Sequence, residues 1–379
     1  MKKIIMPLII IPLLTGGCWD QRILEQTEIV VNAGMDARPG RKILVTVTAP
    51  ASGTGGSPEK ASGAQNAGGG GEITKINLYA AEALSVREAR EKIRLQTIGR
   101  LEAGKVIQIF IGESLARRGV MEYLDLFERD PLDPVQARFV VVRGSANELL
   151  KTAMKWPNVQ LPGLYFKSLL DHTINDSKAP DINFDRFMIQ YYAPGIDPVL
   201  PLIKAGPERA LVLGSALFRN DRMVGELSPM ETFLLLTIQN KAKSHIEAIP
   251  LPTGLVKKKN RITIHFTESK TAVKLQIHAT PQVTFDVKLR GIVEELRFGL
   301  ENPKKIPRFE KIIAGYLTEK FNQLWGKLQA ADSDPVGIGD MVRAYHNRYW
   351  RQHNWRQVYP TIRAKFKVKA SITNYGVVR

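Results

Sequence analysis

The segment Ile362-Arg363-Ala364-Lys365-Phe366-Lys367-Val368-Lys369-Ala370-Ser371-Ile372 alternates between apolar and basic residues through Ala370. Successive side chains of a β-strand point to opposite faces of the sheet. The pattern therefore predicts a strand that packs one face into a core and shows cations on the other. A solvated surface or a membrane or partner surface would each account for these cations. We call the four basic residues the cation row: Arg363, Lys365, Lys367 and Lys369.

The residues before this strand predict a sheet and a helix to cover it. Residues 261–266, 272–279 and 283–289 alternate like the strands of an antiparallel meander. Between residues 309 and 328, apolar side chains recur at helical spacing and predict one amphipathic helix. We therefore expect the C-terminal half to be a mainly antiparallel sheet packed by a long amphipathic helix.

The N-terminal half alternates between strand and helix patterns, which is typical of an α/β domain. Ser85 and Glu88 fit a capping box, with Leu84 and Ala89 as a staple, for a helix that reaches about Ile98. The fold class of the whole chain is therefore α+β, with several mixed domains. The other predicted elements are strands at 29–36, 43–47, 105–111, 137–142 and 210–218 and helices at 113–118, 122–127, 146–154 and 231–243.

Proline and glycine residues cluster between 194 and 207 and give the strongest boundary signal. We place an N-terminal domain at 18–200 and a C-terminal domain at 206–379, with a subdivision of the first near 156–163. Residues 51–71 carry no apolar side chain larger than alanine, so we expect a disordered glycine-rich loop there.

The first residues predict export. Lys2 and Lys3 precede an apolar run at residues 4–14 and small residues before Cys18, which is typical of a secretory signal peptide at 1–17. The apolar run is too short to span a bilayer, which needs about 20 residues. Cys18 is the single cysteine of the chain and lies where bacterial lipoproteins are acylated. We therefore predict lipid attachment at Cys18, although Thr15 occupies the usual leucine position and makes the processing signal atypical.

The charge of the chain favours an anionic neighbour. Lys and Arg number 54 against 37 Asp and Glu, which gives a net charge of +17. Nucleic acid, acidic lipid and wall polymer all fit this charge. The export signal argues against nucleic acid, so acidic lipid or an acidic partner surface stays as the expected neighbour.

The sequence contains no recognisable arrangement of catalytic or metal-binding residues. The six histidines include no His-x-x-x-His pair, and no cysteine beyond Cys18 could complete a zinc site. His265 and His278 could meet across a hairpin, but two imidazoles are more typical of a polar face. Glu294 and Glu295 are adjacent and cannot face each other as an acid and a base. We predict a protein that is not an enzyme, with no metal and no cofactor.

Five motifs follow one another along the chain. They are Cys18-Trp19-Asp20-Gln21-Arg22, Gly112-Glu113-Ser114-Leu115-Ala116-Arg117-Arg118-Gly119 followed by Phe127-Glu128-Arg129-Asp130, Gly214-Ser215-Ala216-Leu217-Phe218 with Gly225-Glu226-Leu227, and Asp334-Pro335-Val336-Gly337-Ile338-Gly339 with Trp350 and Trp355. Together they resemble the Ger(x)C spore germination lipoproteins, the C subunits of nutrient germinant receptors. The resemblance implies a lipid-anchored subunit on the outer face of the spore inner membrane, required for germination and acting with membrane-embedded A and B subunits. It also implies several mixed α/β domains.

Two other functions share part of this pattern. A solute-binding lipoprotein that delivers a small ligand to a transporter would have the same anchor, but it should have two similar α/β lobes around a cleft. An exported wall-active enzyme would need the missing acid and base. Glu113, Arg129 and Asp130 are either interface residues or members of a local ion pair in a turn.

Overall fold

The computed structural model describes residues 27–50, 76–129, 134–157, 159, 161–252, 261–277, 281–295 and 305–374. The predictions of a signal peptide at 1–17, of lipid attachment at Cys18 and of a disordered loop at 51–71 lie outside the described residues.

An eight-stranded sheet forms the larger part of the molecule, with the strand order β10-β9-β8-β7-β6-β2-β3-β4. Its four central strands, β8, β7, β6 and β2, run parallel, and the outer strands are antiparallel to their neighbours. The strands are β2 (Asn32–Ala37), β3 (Ile43–Pro50), β4 (Ile76–Ala83), β6 (Gln108–Gly112), β7 (Arg138–Val142), β8 (Val199–Ala205), β9 (Ala210–Arg219) and β10 (Arg222–Leu227). A separate parallel pair joins β1 (Thr27–Ile29) to β5 (Arg100–Glu102).

Helices cover both faces of this sheet, as the α/β pattern predicts. On β6, Ile109 and Ile111 belong to the core on one side and Phe110 belongs to the core on the other. Strands buried on both faces are typical of parallel sheets, because the crossover helices lie on both sides. The helices are α1 (Val86–Arg94), α2 (Glu113–Arg118), α3 (Asp125–Arg129), α4 (Ala146–Ala153), α5 (Pro162–Asn175) and α6 (Phe184–Tyr192).

Helix α1 is shorter than the capping pattern predicts. Its first turn is capped as expected, because the Ser85 hydroxyl accepts the Glu88 N–H at 3.2 Å. The Glu88 carboxylate, however, accepts the N–H of Leu84 rather than that of Ser85. The predicted staple does not form, since Leu84 is 60% exposed. The helix ends at Arg94 rather than near Ile98, and Ile98 is 98% exposed and adds nothing to the core.

A four-stranded sheet follows, in the order β11-β12-β13-β14, with a long helix on one face. Phe285 of β13 and Phe366 of β14 stack at 4.9 Å, and Phe321 of the helix stacks on Phe366 at 5.3 Å. The predicted packing of a long amphipathic helix on this sheet is therefore confirmed. The elements are α7 (Pro229–Ile238), β11 (His245–Pro250), β12 (Arg261–Gln276), β13 (Gln282–Glu295), α8 (Ile306–Ala330), α9 (Ile338–Tyr345), α10 (Asn347–Gln352), α11 (Trp355–Val358) and β14 (Arg363–Asn374).

Two features of this sheet differ from the predicted meander. Strand β12 is continuous over 16 residues, although the sequence pattern predicts two strands. The polar residues between the two apolar patterns are accommodated by an irregular register between Phe266 and Glu268 and by the buried Thr271, whose hydroxyl donates to the Thr237 carbonyl. The last strand, β14, pairs with β13 in parallel, so that one of the three strand pairings is not antiparallel.

The proline and glycine cluster at 194–207 begins before β8, includes Pro201 on β8 and ends in the turn into β9. Both strands belong to the eight-stranded sheet, and the Gly206 N–H donates to the Arg209 carbonyl at 2.9 Å to close the hairpin. The end of the cluster, at Gly206 and Pro207, therefore shapes a hairpin within one sheet. The division into domains at 18–200 and 206–379 stays a prediction, as does the subdivision near 156–163.

Candidate functional site

The cation row lies on the open face of β14. All four of its residues are exposed, while Phe366 and Ala370 on the opposite face of the strand are buried against helix α8. The alternation predicted from the sequence is therefore present in the structure. The row forms one edge of the sheet, because β14 has a neighbouring strand on one side among the described residues.

Strand pairing adds three more lysines to the same face, Lys270, Lys274 and Lys288. Lys270 of β12 is the register partner of Lys288 on β13, and Lys288 is the partner of Lys369 on β14. Like charges directly opposite each other destabilise a sheet, so this arrangement is not explained by the stability of the fold. We call the seven residues the cationic face: Lys270, Lys274, Lys288, Arg363, Lys365, Lys367 and Lys369.

A shallow groove of about 480 Å³ runs over the middle of the cationic face. The acid that lines it is Asp286, which lies 3.8 Å from Lys274 and neutralises one charge at most. Lysine side chains are flexible point charges with three donors each, which suits a diffuse anionic surface better than one rigid ligand. The chemistry of the face therefore suits an extended anion.

A buried ion pair joins the segment before β8 to the C-terminal helices. The Arg356 guanidinium donates two hydrogen bonds to the Asp197 carboxylate, both at 2.7 Å, and the Asp197 side chain is 2% exposed. The same carboxylate accepts the backbone N–H of Asp334 at 2.8 Å. Two segments far apart in the sequence are therefore held together by one charge pair.

The Asp334 carboxylate caps the start of α9. It accepts the N–H groups of Gly337, Ile338 and Gly339 at 2.8 to 3.1 Å. Burial raises the pKa of Asp334 to about 7, against the opposing effect of these donors. A side chain on Gly339 would collide with the Trp355 indole, so glycine is required there. The motif that begins at Asp334 thus joins the C-terminal helices to the segment before β8.

The structure brings together a Ser, His and Glu that the sequence did not connect. The Ser244 hydroxyl lies 2.8 Å from His265 Nε2, and His265 Nδ1 lies 3.2 Å from the Glu294 carboxylate. This order of groups is that of a nucleophile, a base and an orienting acid. The backbone N–H groups of Lys243 and Ser244, which would serve an oxyanion hole, donate instead to Ser177 Oγ. We therefore interpret the cluster as a polar link between the segment before β11 and strands β12 and β13.

The other predicted residues have local roles or lie outside the described residues. Glu113 accepts hydrogen bonds from Arg117 at 2.8 and 3.0 Å, which is a pairing within α2. Cys18, Asp130 and His278 lie outside the described residues. Within the described ranges, no cluster of three or more His, Cys, Asp or Glu is arranged to hold a metal. No helix of the described ranges is long and apolar enough to cross a membrane.

Two family models together match most of the chain. The spore germination protein N-terminal domain matches residues 20–205, and the spore germination B3/GerAC-like C-terminal domain matches residues 213–376. The chain belongs to the GerAC-like spore germination family. The resemblance that the five sequence motifs indicated is therefore confirmed.

Individual members of the family align over nearly their whole length. The chain is 26% identical to spore germination protein GerQC of Bacillus cereus, over 100% of the chain and 99% of that protein. It is 21% identical to spore germination protein KC of Bacillus subtilis strain 168, over 95% of the chain and 92% of that protein. The crystal structure of the GerBC protein covers 90% of the chain with a TM-score of 0.59 and 20% identity, which shows the same fold.

Proposed function

We propose that this chain is a lipid-anchored, non-catalytic subunit of a spore nutrient germinant receptor, required for the germination response to nutrients. The observation that carries the proposal is the match of both family models, in order, behind a predicted signal peptide that ends at Cys18. The chain acts at the outer face of the spore inner membrane, beside membrane-embedded A and B subunits.

The anchor supplies the membrane affinity in this proposal. Two acyl chains on Cys18 hold the protein stably, since each buried methylene contributes about 0.8 kcal/mol. Thr27, the first described residue, follows Cys18 by nine residues, and nine extended residues reach roughly 30 Å. The folded body is thus confined to a thin layer at the membrane. Tethering of this kind raises the effective concentration to roughly millimolar, so weak contacts with the partner subunits suffice.

The cationic face orients the body against anionic lipid headgroups. A Lys or Arg near an anionic leaflet contributes about 1 kcal/mol, and the face carries seven such residues with one acid in the groove. The sheet face is open, so headgroups can reach the ammonium groups directly. The lipid anchor and the cationic face together restrict both the distance and the tilt of the protein.

Replacing Cys18 by Ala should move the chain from the membrane fraction to the soluble fraction of spores. Nutrient germination should slow by roughly tenfold or more, because the partners then meet the chain without the concentrating effect of the tether. Fractionation of spores with immunoblotting measures the first effect, and loss of optical density on addition of nutrient measures the second. A Gln21→Ala variant, which keeps the thiol, serves as the control. Full membrane retention with normal germination would contradict the proposal.

A further inference from the structure

A second groove, of about 200 Å³, lies between the two halves of the chain and away from the cationic face. One wall comes from the N-terminal half, with Asp181 before helix α6 and Arg186 and Gln190 on it. The other wall comes from the turn after helix α7, with Lys241 and Lys243. The groove therefore exists only when the two halves are packed together.

Hydrogen bonds fix both walls. Ser177 Oγ accepts the N–H groups of Lys243 and Ser244 at 2.8 and 3.3 Å, which ties the end of α5 to the turn. Asn240 has a positive φ of 57° and its side-chain amide pairs with the backbone of Thr271, at 2.7 and 2.9 Å. Lys241 follows this residue directly, so its backbone is held in place. A site with fixed walls binds a ligand at a lower entropic cost.

The groove carries an excess of positive charge. Arg186 and Lys241 have no carboxylate partner in the part of the chain that the structure describes, and both are exposed enough for a solute to reach them. Lys243 donates a hydrogen bond to the side-chain oxygen of Asn175 at 2.9 Å, and this partner is neutral. The acid of the groove, Asp181, lies 3.3 Å from Arg138 and is already paired. Three cations therefore face the groove without a matching anion.

Within the described residues, Lys241 and Gln190 both lack a compensating partner in the groove. Partial burial and the neighbouring Arg186 guanidinium lower the pKa of Lys241, which a bound anion would reverse. Gln190 Oε1 is a buried acceptor with no hydrogen-bond partner among the described residues. Buried polar atoms are nearly always paired, so we expect the Gln190 side chain to turn toward the groove and accept a hydrogen bond from a ligand bound there.

We propose that this groove binds a phosphate group, as inorganic phosphate or as a phosphate monoester, between Arg186 and Lys241. Proteins commonly bind phosphate with arginine and lysine side chains. Arginine donates paired hydrogen bonds to the phosphate oxygens, and lysine acts as a point charge. A protonated phosphate also has a P–OH group, which can donate a hydrogen bond to Gln190 Oε1. Sulfate has no such donor at neutral pH. The volume holds a phosphate with a few waters of roughly 30 Å³ each.

Isothermal titration of the full-length chain in detergent with inorganic phosphate tests the site, with chloride keeping the ionic strength constant. We expect saturable binding that weakens at least tenfold in Lys241→Gln and in Arg186→Gln. The control Lys311→Gln, which removes an exposed lysine from helix α8, should keep the affinity within twofold. Lys241→Arg should also keep binding, which separates loss of charge from loss of fold.

Three further comparisons sharpen the result. Phosphate should bind the unaltered chain several times more tightly than sulfate, and Gln190→Leu should remove this preference. If glycerol 3-phosphate competes with inorganic phosphate for the groove, the site accepts phosphate monoesters. If inorganic phosphate binds and glycerol 3-phosphate does not compete, the site is specific for the free ion. Equal heats for the unaltered chain and Lys241→Gln, or equal affinity for phosphate and sulfate, would overturn the proposal.

Discussion

Arg356→Met is expected to lower the free energy of unfolding by about 3–5 kcal/mol. The substitution leaves the Asp197 carboxylate, whose side chain is 2% exposed, without its counter-charge. It also leaves two buried carboxylates near each other, since Asp197 accepts the N–H of Asp334. The cost of an unpaired buried charge exceeds the net contribution of the pair itself, and it loosens the joint between the two halves.

Chemical denaturation of the full-length chain measures this effect, with two comparison variants. Arg343→Met breaks an exposed pair with Asp340, three residues away in the same helix, and should cost less than about 1 kcal/mol. Asp197→Leu combined with Arg356→Met removes both charges and should regain part of the stability that the single change loses. Equal shifts of the unfolding midpoint for Arg356→Met and Arg343→Met would show that the buried pair is not what joins the halves.

Reversing three charges of the cationic face should abolish binding to anionic vesicles. In a chain that carries Cys18→Ala, so that no lipid anchor contributes, Lys365, Lys367 and Lys369 are changed together to Glu. Removal of three charges, each contributing about 1 kcal/mol near an anionic surface, weakens binding by roughly two orders of magnitude, and their reversal adds repulsion. Co-sedimentation with phosphatidylglycerol vesicles, and with phosphatidylcholine vesicles as the neutral reference, gives the measurement.

The matched control makes the same change in net charge elsewhere. Lys305, Arg308 and Lys311 lie exposed at the start of α8 and are changed together to Glu. This variant should keep most of its vesicle binding. In proteins with an unaltered cationic face, binding to the vesicles should weaken as salt is added. If both triple variants lose binding to the same extent, the interaction depends on net charge alone and the cationic face has no special role.

Local patterns in the sequence predicted the elements that carry these properties. The period of two residues in β14 and the helical spacing in α8 each lie within one segment, so no long-range contact is needed to read them. Two of the three additional lysines, Lys274 and Lys288, lie in strands that the sequence predicts, whereas Lys270 lies between two predicted strands. Their alignment with Lys369, however, depends on strand register, which the sequence does not determine by itself.

The contacts between distant segments could not be predicted. Asp197 and Arg356 are 159 residues apart, and nothing near either residue marks it as a partner of the other. The same holds for Ser244, His265 and Glu294, which the segment before β11 and strands β12 and β13 bring together. Proline and glycine mark linkers and hairpins alike, so the cluster at 194–207 does not by itself distinguish a domain boundary from a turn within one sheet.

Co-purification from spore membranes tests the central claim most directly. The full-length chain is isolated under mild detergent from spores of the producing organism, and the proteins that accompany it are identified by mass spectrometry. A receptor subunit predicts that a multi-spanning A-type protein and a transporter-like B-type protein are recovered with it in constant proportion. Recovery of the chain without integral membrane proteins, from membranes that still contain them, would contradict the account.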